Sequence, residues 1–367
     1  MSTARLRVLV VGASGVVGHA ATERFLRDVE FDVMAISRRR PEVPERDGYA
    51  HLSVDLRDAG AVAAAMRVAG PITHVVYAAL FEKQDLIAGW VDREQIDTNR
   101  RMFANVVDAL RAVRAPVRHI SVLQGTKAYG YHIRPMRVPG KEAQPRVDHG
   151  NFYWEQQDLL VAAAREMDST YTIFRPQFIF GGVLGAAMNL IPVIGVYAAL
   201  CREIGRPFSF PGGGSYVAEA VDSRLLADAL HWAATSPNAL NETFNITNGD
   251  VFDWRDLWES FSGALEVESG PDELLSLAQW LPEQEAVWQR IVQRHGLRAL
   301  SLKEILGLSH QYADDAFAYT EDGWKSRSHP NLLSTIKLRQ AGFGNCVDTE
   351  QMFAYWFARL RSERILP

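Results

Sequence analysis

Residues 7–18 read Arg7-Val8-Leu9-Val10-Val11-Gly12-Ala13-Ser14-Gly15-Val16-Val17-Gly18, a β-branched apolar run closed by three evenly spaced glycines. A helical pattern follows from about His19 to Arg27. A second apolar run, Val33 to Ile36, ends in Ser37-Arg38-Arg39-Arg40. This is strand, glycine turn, helix, strand: one βαβ unit. Gly12 lets the chain turn sharply off the strand, Gly15 lets backbone approach a pyrophosphate, and Gly18 lets the helix pack closely on the sheet. The helix start, with Ser14, Val16 and Val17 around it, offers free N–H groups and a partial positive charge to phosphate.

The end of the second strand selects the cofactor. A carboxylate there takes the ribose hydroxyl of NAD, whereas a cation suits the extra phosphate of NADP. Ser37, Arg38 and Arg39 stand there and no acid does. The planar guanidinium binds two phosphate oxygens at once, so the expected cofactor is NADPH/NADP⁺.

Outward from this unit, strands and helices alternate. His51 to Val54 reads as a strand ending in Asp55-Leu56, and Ala59 to Val68 as a helix. Thr73 to Tyr77 reads as a strand ending in Ala78-Ala79, and Asp92 to Val113 as a long amphipathic helix. Val117 to Val122 is a further strand. Residues 123–150 lose periodicity and read as a long loop, of a kind that is functional or mobile in compact enzymes. Asn151 reads as the N-cap of a helix to about Arg165. Tyr171 to Phe174 is a strand, Val221 to Ala234 a helix and Thr243 to Ile246 a short strand. The pattern predicts an α/β, Rossmann-type doubly wound parallel sheet with a smaller, mostly helical C-terminal lobe. The expected division is a cofactor domain of residues 1–180 that also receives 215–250, a substrate lobe of 181–214 and 251–345, and a terminal helix and tail of 346–367. The region from Phe252 to about Trp324 is expected to be mostly helical.

The chain has 367 residues, 47% hydrophobic and 23% charged, with net charge −5. That composition suits a globular protein and argues against a nucleic-acid partner. The start, Met1 to Arg7, lacks an apolar signal core. Val183 to Leu200 is apolar but holds Asn189 and Pro192, so a buried core helix is expected rather than a membrane span. Cys201 and Cys346 form neither a metal-ligand pattern nor a disulfide framework. A cytoplasmic enzyme, possible as a homodimer, is the expectation, with a small molecule as substrate and no metal.

In parallel sheets of this kind, ligands sit beyond the carboxyl ends of the strands. Asp55, Leu56, Tyr77, Ala78, Ala79, Gln124, Gly125, Pro176 and Ile179 are therefore candidate cofactor contacts. Asp55 is equally suited to bonding an adenine amino group or to capping the next helix. Short-chain dehydrogenases usually carry a Tyr with a Lys four residues on. No tyrosine here has that neighbour: Tyr153 is followed by Gln157, Tyr129 by Ile133 and Tyr171 by Arg175. The chain offers Lys127, just past the fifth strand, and Tyr153, in the first turn of the next helix. A lysine beside a phenol would lower the phenol's pKa by charge proximity.

Several segments resemble the progesterone 5β-reductase/iridoid synthase family of atypical extended short-chain dehydrogenases. They are the Gly12–Gly18 turn; Ser37-Arg38-Arg39; His119-Ile120-Ser121 running to Gly125-Thr126-Lys127; Asn151-Phe152-Tyr153-Trp154 with Asp158; Arg175-Pro176 with Ile179-Phe180-Gly181; and Phe244 to Phe252. Met188-Asn189-Leu190, Val196 to Ala199 and the ending Arg361 to Pro367 add to the likeness. The resemblance implies NADPH-dependent reduction of the C=C bond of α,β-unsaturated carbonyl compounds. It assigns the catalytic pair to Lys127 and Tyr153. Hydride adds to the β-carbon, Tyr153 holds the oxygen as it becomes an enolate, Lys127 keeps Tyr153 poised, and solvent protonates the α-carbon. The chain departs from the family at Leu80, at Trp154 and through residues 123–150. Leu80, Phe81, Tyr131, Met188, Val196 and Phe343 are the expected substrate lining. The alternatives are a short-chain enzyme acting on C=O, a sugar-nucleotide epimerase, or a non-catalytic NADP(H)-sensing protein.

Overall fold

The computed structural model describes residues 5–321 and 329–367. Met1 to Ala4 and the expected helical end at Trp324 lie outside the described residues. The strands are β1 (Leu6–Val11), β2 (Phe31–Ser37), β3 (Tyr49–Ser53), β4 (His74–Tyr77), β5 (His119–Leu123), β6 (Thr170–Pro176), β7 (Phe178–Phe180), β8 (Val217–Ala218), β9 (Ala220–Asp222), β10 (Glu242–Ile246) and β11 (Phe252–Asp253). Seven form one sheet in the order β10-β6-β5-β4-β1-β2-β3, every pair parallel. The direction of winding reverses beside β1, which pairs with both β2 and β4. A crevice therefore opens at its carboxyl end, where the glycine turn sits.

The helices are α1 (Val16–Leu26), α2 (Ala59–Val68), α3 (Leu86–Gly89), α4 (Arg93–Ala112), α5 (Phe152–Glu166), α6 (Leu190–Ile204), α7 (Ser223–Thr235), α8 (Trp254–Leu265), α9 (Leu277–Trp280), α10 (Glu285–His295), α11 (Leu302–Leu306), α12 (Ser309–Ala316), α13 (Ile336–Gln340) and α14 (Thr349–Ser362). Strand alternation divides the sheet's side chains between two faces. On β1, Leu9 and Val11 join Met102 and Phe103 of α4 in one core. Val8 and Val10 join Phe25 of α1 and Leu226 and Leu230 of α7 in the other. Each such side chain contributes roughly 1.5–3 kcal/mol by leaving water.

A third core, rich in aromatic rings, belongs to the lobe. It packs α6 against Trp254, Trp258 and Phe261 of α8, Trp288 of α10 and Phe353 and Phe357 of α14. The buried-helix expectation for Val183 to Leu200 holds for Leu190 onward: every residue from Leu190 to Cys201 is buried. Residues 183–189 before it are not helical, and Gly185 to Met188 among them line the crevice instead. Asn189 ends that segment by capping α6 and by donating to the Gly181 and Val183 carbonyls. Among the described residues, no helix is long and apolar enough to cross a membrane.

The stretch expected to be wholly irregular, 123–150, opens with one 3₁₀ turn, Thr126–Tyr129. That turn is too short to give a periodic signal, yet it carries Lys127. Asp58, not Asp55, caps α2 through the Ala61 N–H.

Candidate active site

A cavity of about 750 Å³ runs along the carboxyl ends of the strands, between the sheet and the lobe. A volume in this range holds an extended ligand with a small second one. At one end lie Gly12, Ser14, Gly15, Val16 and Val17. Gly12 has φ +85°, and a Cβ on it would come within 2.7 Å of the Ala79 backbone. A Cβ on Gly18 would come within 2.1 Å of the Gly12 carbonyl oxygen, so the helix meets its own turn at van der Waals distance. No side chain caps the start of α1 at Gly15, which leaves its N–H groups open to an anion.

Ser37, Arg38 and Arg39 form the rim beside it. The Ser37 hydroxyl donates to the Arg39 carbonyl at 2.6 Å, and the Ser53 hydroxyl to the Arg38 carbonyl at 2.9 Å. These bonds fix the turn that bears both guanidinium groups. Asp55 and Leu56 line the same wall. The Asp55 carboxylate is forked by Arg57, which pulls its pKa down to about 2. An open helix N-terminus, a glycine cradle and two arginines at the end of β2 together fit NADP(H).

Three polar residues of α4 hold the two strand-end segments that form the middle of the cavity. Asn105 donates to the Leu56 carbonyl at 2.8 Å. Asn99 accepts from the Phe81 N–H and donates to the Phe81 carbonyl, both at 2.9 Å. Gln95 accepts from the Lys83 N–H at 2.9 Å. Leu80, Phe81 and Glu82 are thereby held in the wall, next to Ala78 and Ala79. From the lobe, Gln311 of α12 bonds the Gln84 carbonyl and the Leu86 N–H, bringing Tyr312 to the same cavity.

Lys127 and Tyr153 meet in this cavity, with Gln124, Gly125, Tyr131, Pro176, Ile179 and Met188. Asn151 ties the pair together. Its Oδ1 accepts from the Tyr153 N–H at 3.0 Å, and its Nδ2 donates to the Lys127 carbonyl at 3.0 Å. The phenol oxygen of Tyr153 packs over Gly125, where a Cβ would lie 3.3 Å from it. Gln124 braces α5 by donating to the Tyr153 carbonyl and to Gln157, and Arg175 donates to Gln124 at 2.8 Å.

The expected lowering of the Tyr153 pKa by Lys127 is not what the geometry produces. Among the described residues no hydrogen bond joins the two side chains. The Lys127 ammonium instead sits 3.7 Å from the centre of the Trp90 ring. Burial lowers Lys127 to about 8, and the charges of Glu82 and Asp315 resist that shift. Burial and the nearby Glu82 push the Tyr153 phenol up, so it stays protonated. The arrangement is a neutral phenol O–H, a tethered ammonium and one acidic group, Glu82, around one space. It can donate a hydrogen bond to a developing oxyanion without first losing a proton.

Four expected contacts lie elsewhere. Gly18 serves packing rather than the cavity wall. Tyr77 points to the α4 side of the sheet, its ring 4.8 Å from that of Phe103. Val196 lies in the middle of α6, buried on every side in the lobe core. Phe343 follows α13 and packs 5.7 Å from Trp232 in the α1–α7 core. Tyr77, Val196 and Phe343 each face a core that periodicity alone cannot tell from a cavity. Glu82, Trp90, Tyr312 and Lys303 were not anticipated. Glu82 alone had a signal: it is a carboxylate just beyond the end of β4.

Residues 8–247 match the NAD dependent epimerase/dehydratase family. The chain is 30% identical over 379 residues to the 3-oxo-Delta(4,5)-steroid 5-beta-reductase of Arabidopsis thaliana, covering 98% of this chain and 92% of that one. It is 28% identical over 377 residues to the (S)-8-oxocitronellyl enol synthase of Nepeta racemosa, covering 98% and 91%. Among solved structures, it is similar in fold to the UDP-glucose 4-epimerase of Thermus thermophilus in complex with NAD, with TM-score 0.66 and 17% identity over 97% of this chain and 99% of that one.

Proposed function

The chain belongs to the NAD dependent epimerase/dehydratase family, and from that premise we propose that it is an NADPH-dependent reductase of the C=C bond of α,β-unsaturated carbonyl compounds. The observation that carries this reading is the meeting of Lys127 and Tyr153 through Asn151 at the inner end of the cavity. Gln157 occupies the position four residues beyond Tyr153 where a carbonyl-reducing relative would carry its lysine. The relatives named as a steroid 5β-reductase and an enol synthase agree with chemistry at an enone rather than at a sugar.

In this reading the helix start of α1 holds the pyrophosphate and Arg38 and Arg39 hold the extra phosphate. NADPH, when bound, supplies hydride to the substrate's β-carbon. Tyr153 donates its phenol hydrogen bond to the carbonyl oxygen, which gathers charge as the enolate forms. One such donor lowers the barrier by about 3 kcal/mol. Lys127 adds a positive charge to the same space while its position on Trp90 keeps it from the phenol. Leu80, Phe81, Tyr131, Met188 and Tyr312 shape the substrate space. The cofactor belongs to residues 1–180 with 215–250, and the lobe, whose core includes α14, closes the substrate space with Met188 and Tyr312. The reading places the enzyme in the cytoplasm, where Cys201 and Cys346 stay free thiols.

The test is NADPH oxidation with cyclohexenone, with cyclohexanone and with no substrate. Saturated ketone from cyclohexenone, lost in Tyr153→Phe, is the expected result. Turnover of cyclohexanone alone would mean a carbonyl reductase. Tight NADPH binding without turnover would mean a sensor.

A further inference from the structure

Hydride addition to an enone leaves one demand unmet: the α-carbon of the enolate must gain a proton. Tyr153 is committed to the oxygen, and Lys127 rests on the Trp90 ring. Another acid stands in the cavity wall. Glu82 follows Leu80 and Phe81 and lines the same space as Lys127, Tyr131, Tyr153 and Tyr312.

The two oxygens of Glu82 are not equivalent. Oε2 accepts from the Gln95 amide nitrogen at 2.5 Å. Gln95 is buried, and its own oxygen is occupied by the Lys83 N–H at 2.9 Å, so its amide cannot turn over. Oε2 is therefore a fixed acceptor. Oε1 is buried and has no hydrogen-bond partner. The neighbouring cation, Lys83, is taken by Asp92 and Glu94 at 2.9 and 2.8 Å. A bare, buried carboxylate oxygen is costly, and a proton on Oε1 removes its charge, the larger part of that cost. Burial raises the Glu82 pKa accordingly, against the pull of Lys127.

We propose that Glu82 is a catalytic acid that delivers the proton on Oε1 to the substrate's α-carbon. The proposal rests on the enone-reductase reading above. The balance is complete. Hydride forms the C–H bond at the β-carbon, and the π pair moves to the oxygen held by Tyr153. As the enolate collapses to the ketone, its electron pair takes the proton from Oε1. Glu82 is left as a carboxylate and regains a proton from solvent. Each turnover consumes one enone, one NADPH and one proton, and yields one saturated ketone and NADP⁺. Protonation inside the wall fixes the face at which the α-carbon is protonated, whereas protonation by bulk water does not.

Carvone is the probe, because the α-protonation step sets which epimer of dihydrocarvone forms. The holoenzyme is expected to give one epimer. Glu82→Gln, which keeps the shape and the Gln95 contact, is expected to give both epimers and to form ketone about 100-fold more slowly. Glu82→Asp retains an acid and is expected to restore the single epimer. A readout without hydride transfer is α-proton exchange of dihydrocarvone in D₂O with NADP⁺ bound: it is expected in the wild type and lost in Glu82→Gln. A single epimer from folded Glu82→Gln, or no exchange in the wild type, overturns the proposal. NADPH oxidation by Glu82→Gln that yields mixed epimers leaves the reductase reading standing. Absence of any enone-dependent oxidation in the wild type removes that reading and this proposal together.

Discussion

Asn151 donates from its side-chain nitrogen to the carbonyl of Lys127 at 3.0 Å, and the same amide caps α5 at the Tyr153 N–H. One residue thus sets both members of the proposed catalytic pair, which lie 26 positions apart in sequence by their numbers, 153 − 127. Asn151→Ala removes the cap and the tether at once. Its expected effects are about 1 kcal/mol of lost stability, read by denaturant unfolding, and a fall in kcat. Asn151→Asp restores the cap but cannot donate to Lys127. It is expected to regain the stability without the turnover. Full kcat in Asn151→Asp would show that the tether is not needed.

Gly125 leaves room for the phenol of Tyr153. A methyl group there would sit 3.3 Å from the hydroxyl oxygen, closer than most side chains tolerate. Gly125→Ala is expected to displace the phenol by a few tenths of an ångström. Steady-state kinetics should show this as a lower kcat with little change in the KM for NADPH. An unchanged kcat would mean that the oxygen's position does not limit the reaction.

Lys127 and Tyr153 titrate in different ranges, which separates their roles. Lys127 is held at about 8, so its positive charge fades as pH rises through that value. Tyr153 is pushed above its ordinary value and stays protonated over the same range. The kcat profile is therefore expected to decline above about pH 8 in the wild type and to lose that limb in Lys127→Met. Tyr153→Phe is expected to lower kcat by about 100- to 1,000-fold at every pH. A wild-type profile flat to pH 10 would remove the ammonium from the rate-limiting step.

The sheet and the cofactor end were legible in the sequence because their signals are local. A β-branched run, three spaced glycines and a basic strand end lie within residues 7–39. Asn151 likewise announced itself as a cap. The inner end of the cavity was harder to read because long-range contacts decide it. Trp90 meets Lys127 from 37 positions away in number, 127 − 90, and Tyr312 arrives through Gln311 bonding to residues 84–86. Val196 and Phe343 look no different in sequence from Met188, yet only Met188 faces the cavity. Distinguishing a core wall from a cavity wall needs the neighbours, which hydrophobic pattern does not carry.

Arg38 and Arg39 stand on a turn fixed by Ser37 and Ser53. Replacing both with alanine removes charge without disturbing those backbone bonds. The KM for NADPH is expected to rise by about tenfold or more, the value of one or two charge-assisted contacts, while turnover with NADH stays as it was. Equal losses for both cofactors would show that the pair supports the fold rather than reading the phosphate.

Glu219 offers a test of stability away from the cavity. It is 6% exposed, accepts from the Leu333 N–H at 2.7 Å, and is raised by burial from 4.5 to about 7. A raised acid favours the protonated native state, so the wild type gains stability as pH falls through 7 toward 4.5 and loses it as pH rises. A shift of this size corresponds to about 3 kcal/mol at most. Glu219→Gln keeps an acceptor for the Leu333 N–H and carries no charge at any pH. The variant is expected to be more stable than the wild type at pH 8 by up to that amount, and equal to it below pH 4.5. Chemical denaturation at the two pH values measures the difference. A constant offset between the two proteins would mean that packing around Glu219, rather than its charge, sets the cost.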